Sequence, residues 1–103
     1  MSGSMALVRT TVGARGAADD LARRLVADGL AACVHVQELH STYRWKGEVI
    51  AEPEWLVEAR TLAGRVEKVR EAMLADHPYD LPLVETINVT GISKGYLDWA
   101  KAP

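Results

Sequence analysis

A chain of 103 residues accommodates one domain and one core. A domain of that size hides only about two-thirds of the surface its unfolded chain exposes, so burial against further copies is a physical advantage. Apolar residues at 49% and charged residues at 25% exclude a disordered chain, and twelve Lys and Arg against fourteen Asp and Glu, net −2 with the signs interspersed, exclude a basic footprint for nucleic acid or an anionic membrane.

The opening Met1-Ser2-Gly3-Ser4-Met5 reads as an expression scar or disordered N-terminus, so the folded domain is expected over residues 6–103. Ala6 to Val12 is short and rich in strand formers, with Val8, Thr10 and Val12 on one side of the pleat. Gly13 and Gly16 break it. Ala18, Leu21, Ala22, Leu25 and Val26 then recur at helical spacing, and Gly29 supplies a left-handed stop onto which Leu30 folds back.

Ala31 to Trp45 is a long strand rich in Val, Thr and aromatic residues. Lys46-Gly47 makes a tight turn into a return strand from Glu48 to Arg60, in which Pro53 demands a bulge or an outer-edge position because it cannot donate to a ladder. Thr61 is expected to cap a second helix with a Leu62, Val66, Val69 and Met73 stripe, which the His77-Pro78 pair ends. Leu83 to Val89 is the last strand, and Ser93 opens a short tail carrying Tyr96, Leu97 and Trp99. The order predicts an α+β fold, the ferredoxin-like βαββαβ sandwich, with a long hairpin between its second and third strands and a short C-terminal element. Such a hairpin overhangs so small a core, and its unpaired backbone groups call for a partner copy.

Five segments in fixed order carry a family resemblance. They are Leu30-Ala31-Ala32-Cys33-Val34, then Ser41, Tyr43, Trp45 and Gly47, then Glu54 and Leu56 ahead of a basic residue and Thr61. His77-Pro78-Tyr79 with Pro82 follows, and Gly95-Tyr96-Leu97 with Trp99 closes the chain. Each alone is weak, but the set, spanning about Val8 to Trp99, resembles the CutA divalent-cation-tolerance family. The resemblance implies a stable homotrimer, similar in form to the trimeric PII signalling proteins, with clefts at subunit boundaries and an association with tolerance of divalent metals, copper above all. Three positions depart from the family pattern: His35 stands in place of Asn, Arg60 in place of Lys, and Leu83 where an acidic residue commonly follows the proline.

Cys33 and His35, two apart in a strand, leave the same face and can offer a thiolate and an imidazole to copper or another divalent cation. Two ligands do not make a site, and free cysteines are commonly buried small hydrophobes. His77, at the end of a helix where the dipole favours an imidazolium, is the third candidate ligand. His40 falls on the other parity from His35, so only a bulge can join them. Glu52 and Glu54, flanking Pro53, can hold a metal or remain solvated.

Tyr43, Trp45, Glu54, Arg60, Tyr79, Tyr96 and Trp99 are expected at an inter-subunit cleft open to a metal ion or a small anionic ligand, since aromatic residues supply interface area. No catalysis is expected, because spacing sets no acid beside His77 and offers no nucleophile with its base. One cysteine rules out a paired-cysteine copper-chaperone loop, a chain without Phe and with a negative balance does not suit the aromatic RNA-binding platform, and no phosphate-binding glycine loop is present. A lone cysteine, with no signal-peptide pattern and no apolar run of about 18 residues, makes the cytoplasm the expected location and a membrane an unexpected partner.

Overall fold

The computed structural model describes residues 5–102. Its elements run β1 (Met5–Val12), α1 (Arg15–Ala27), β2 (Cys33–Trp45), β3 (Glu48–Leu62), a 3₁₀ turn (Ala63–Arg65), α2 (Val66–Leu74), β4 (Val84–Val89) and α3 (Lys94–Lys101). The strands form one antiparallel sheet in the order β2-β3-β1-β4, the order that a split βαβ pattern produces. β1 is thus a central strand, held by the hairpin on one side and by β4 on the other.

Alternation gives the sheet two different faces. Val8 and Val12 of β1 and Val57 and Ala59 of β3 pack with Ala18, Leu21 and Leu25 of α1 and Val69 and Met73 of α2 in a single apolar core. The opposite face carries a row of charge across all four strands, because Glu85, Arg9, Glu58 and His35 stand directly opposite one another in register. Arg9 Nε lies 3.6 Å from Glu58 and 3.5 Å from Glu85.

Local chemistry sets the joints. α1 ends in a Schellman motif, in which Gly29 at φ +73° lets its own N–H reach the Val26 carbonyl and the Leu30 N–H reach that of Leu25. The hairpin closes on Lys46 and Gly47, both at positive φ, the two-residue turn whose twist matches that of the strands.

The hairpin register is unbroken from Cys33 opposite Arg60 to Trp45 opposite Glu48. β1 pairs with β3 only from Trp55 to Leu62, so Glu48 to Glu54 form a two-stranded ribbon extending about 23 Å past the sheet. Pro53 lies in that overhang, which meets its need for an outer-edge position without a bulge, and His40 accordingly stays on the other parity from His35.

Several expected boundaries move. Met5 belongs to β1, fully buried and paired with Leu62 and Val89, whereas Met1 to Ser4 lie outside the described residues. β3 therefore runs two residues beyond Arg60, since Met5 and Ala6 provide partners for Leu62 and Thr61. Thr61 caps no helix: it is a buried strand residue whose Oγ1 donates to the Leu30 carbonyl at 2.5 Å, tying the start of β2 to the end of β3. α2 begins without a side-chain cap and stops at Leu74, ahead of His77-Pro78, because Ala75 turns extended and Asp76 takes φ +58°.

Candidate functional site

The free ribbon and the loop after α2 enclose a cleft of about 610 Å³. Ser41, Tyr43 and Trp45 of β2 and Glu52 and Glu54 of β3 form one wall, and Tyr79, Asp80, Leu81 and Leu83 form the other, with Thr11 between them. Tyr79 Oη donates to Glu54 Oε2 at 2.6 Å, crossing the sheet end where β1 stops. Gly13 permits the crossing, since a Cβ there would sit 3.3 Å from the Tyr79 hydroxyl. Glu54 is buried, at 7% exposure, and needs that donor. A second phenol and carboxylate, Tyr43 and Glu52, hydrogen-bond across the ribbon.

Both phenols are held in the neutral form. Burial first, then the bond to Glu54, pushes the Tyr79 phenol well above its ordinary range, and the bond to Glu52 leads the upward push on Tyr43.

His77 braces the loop. Its Nδ1 accepts the Tyr79 backbone N–H at 3.1 Å, which leaves the proton on Nε2 to donate to Thr10 Oγ1 at 3.0 Å. The ring meets Tyr79 edge to face at 5.1 Å. Burial lowers the imidazole pKa, opposed by a backbone bond at Thr11, so the charged form expected from a helix end is disfavoured.

Cys33 and His35 do come together, Sγ and Nε2 lying 3.7 Å apart, with His35 Nδ1 4.0 Å from Glu58. Tyr96 of α3 joins them. Burial, with the Cys33 thiol beside it, raises the Tyr96 phenol, and the Arg60 guanidinium opposes the rise. Tyr96 in turn stacks edge to face on Trp99 at 5.2 Å.

The structure therefore divides both expected sets of site residues. Within one chain His77 does not meet Cys33 and His35, because it bonds Thr10 on the helix-covered side while they project with Arg60 and Glu58 from the other. Among the described residues no three His, Cys, Asp or Glu side chains converge as a metal-holding group. Tyr43, Trp45, Glu54 and Tyr79 share the cleft, whereas Arg60, Tyr96 and Trp99 sit with Cys33 at the opposite end of the hairpin. The cleft residues that sequence reasoning missed are Thr11, Ser41, Thr42, Arg44, Asp80 and Leu81, together with Leu83 as a wall residue. The one available signal was the rigid His-Pro-Tyr turn, which fixes where the next residues go. With Glu52, Glu54 and Asp80 against Arg44, the lining opposes the small anion expected there.

A family profile described as "CutA1 divalent ion tolerance protein" matches residues 6–103. The chain belongs to this family. Among its relatives, the divalent-cation tolerance protein CutA of Thermus thermophilus is 36% identical over 96 residues, covering 92% of this chain and 93% of that protein. The chloroplastic protein CutA of Arabidopsis thaliana is 38% identical over 96 residues, covering 92% of this chain and 53% of that longer protein. The solved structure of CutA from Synechococcus elongatus superposes with a TM-score of 0.89 at 31% identity, covering 96% of this chain and 89% of that one. The family thus accounts for the four-stranded antiparallel sheet with its three helices. No helix among the described residues is long and apolar enough to cross a membrane.

Proposed function

We propose that the chain acts as a homotrimer in the response to divalent cations, binding copper or another divalent ion and catalysing no reaction of its own. The observation that carries this reading is the match of residues 6–103 to the divalent ion tolerance family. The trimer is supported by the ribbon, whose outer backbone edges over Glu48 to Glu54 and the facing part of β2 find no partner strand among the described residues. For the metal, Cys33 and His35 supply one thiolate and one imidazole, donors that suit copper and zinc. Two donors make half a site, so a second copy is required to complete the coordination. The absence of turnover is supported by the phenols of Tyr43 and Tyr79, held neutral against carboxylates, and by a His77 whose two nitrogens are both engaged in bracing a loop. The proposal puts the chain in the cytoplasm, where Cys33 stays reduced.

Light scattering gives the solution mass, and a copper titration of the same sample tests the metal. The expected result is a trimer with saturable binding that Cys33→Ala and His35→Ala each weaken and His77→Ala leaves unchanged. A monomer, or an isotherm indifferent to Cys33 and His35, overturns the assignment.

A further inference from the structure

We propose that the cleft between the ribbon and the 79–83 loop binds an organic cation, an aliphatic amine with at least one ammonium group. This goes beyond the metal reading and uses neither of its metal donors, Cys33 and His35.

Size is the first observation. A cleft of about 610 Å³ falls within the range of about 300–1,000 Å³ typical of small-molecule sites. Polarity is the second. Each phenol already donates its O–H in a hydrogen bond to a glutamate, so Tyr43 and Tyr79 present only acceptor lone pairs and ring faces. Glu52, Glu54 and Asp80 are acceptors as well. Arg44 is the cation of the lining, and it alternates away from Tyr43 and Trp45 on its strand. A ligand must therefore bring donors and positive charge.

Glu54 makes the strongest case. It is buried at 7% exposure with Oε2 taken by Tyr79, and among the described residues no donor reaches Oε1. Oε1 is not among the buried side-chain atoms sealed from solvent, so it stands as an acceptor that a charge-assisted donor entering the cleft can reach.

The carboxylates also discriminate between a cation with a carbon skeleton and a bare ion. Among the described residues they do not converge with one another or with a His or Cys closely enough to hold a metal ion. Between them lie the rings of Tyr43, Trp45 and Tyr79, which attract an ammonium group through their faces and cover methylene groups with apolar surface. Lys46 shows the same preference within the chain, its Nζ lying 5.8 Å from the centroid of the Trp45 ring.

Isothermal titration of the full chain with cadaverine and with spermidine tests the proposal, with pentanediol as the uncharged control and magnesium chloride at matched ionic strength as the inorganic one. Saturable binding of at least one amine is expected, with none of pentanediol. Glu52→Gln and Glu54→Gln should each weaken it about tenfold, the equivalent of about 1.4 kcal/mol. Trp45→Leu should weaken it as well. Should Glu54→Gln fail to fold, the exposed positions Glu52 and Trp45 carry the test. Failure of both amines to saturate overturns the proposal. So does binding that ignores Glu52 and Trp45, or magnesium that displaces the amine beyond the effect of sodium chloride at the same ionic strength.

Discussion

At the scale of single residues, the wall of the cleft depends on a side chain that is absent. Gly13 leaves room for the Tyr79 hydroxyl, which satisfies the buried Glu54. Tyr79→Phe deletes the donor and leaves the carboxylate stranded, and the expected loss is about 1–3 kcal/mol. Urea denaturation reads that loss, and an unchanged midpoint would show that the bond stabilises nothing. Gly13→Ala should fall in the same direction, since its methyl must push the ring away.

His77 makes a pH prediction. Its folded-state pKa lies below the ordinary 6.5, mainly through burial, so the unfolded chain binds the proton more tightly than the folded one. The contribution to stability is complete above 6.5 and is lost as pH falls from there through the lowered folded value. Thermal midpoints should decline across that window, and His77→Gln should flatten the decline; a parallel curve for the variant would assign it to other groups.

At the scale of elements, two glycines separate backbone strain from backbone entropy. Gly29 stands at φ +73° with open space around it, so Gly29→Ala meets no clash yet forces an L-residue into the left-handed region, costing about 1 kcal/mol. Gly16 lies in the first turn of α1 with equally open surroundings and no such φ, so Gly16→Ala should stabilise by about 0.5 kcal/mol. Paired denaturation curves should move in opposite directions, and a shared sign would refute the account.

The Gly29 stop, the Lys46-Gly47 turn and the Pro53 overhang were legible in the sequence because each is a local requirement of φ or of a missing N–H. Thr61 was misread because the length of a strand is decided by its neighbour. The apolar series through Leu62, Val66, Val69 and Met73 runs without a break across a strand end and a helix start, and only the pairing of Leu62 with Met5 reveals the boundary. The cleft was half legible for the same reason. Tyr43, Trp45 and Glu54 announce themselves on a ribbon, whereas no spacing says that Asp80 and Leu81 lie across from them.

At the scale of the whole molecule, the sheet has one face sealed by helices and another that bears the row of Glu85, Arg9, Glu58 and His35 beside α3, while the ribbon reaches past both. The central place of β1 has a consequence for the order in which the protein can mature. β1 is made before both of its neighbours, β3 and β4, and Val84–Val89 is the last of these four strands to be made. Until then Met5 to Thr10 keep one row of amides and carbonyls open, a docking edge for any nascent neighbour of the same sequence. Completion of the native sheet therefore waits for β4, and a message truncated before Val84 would release a sticky intermediate instead of a smaller working domain.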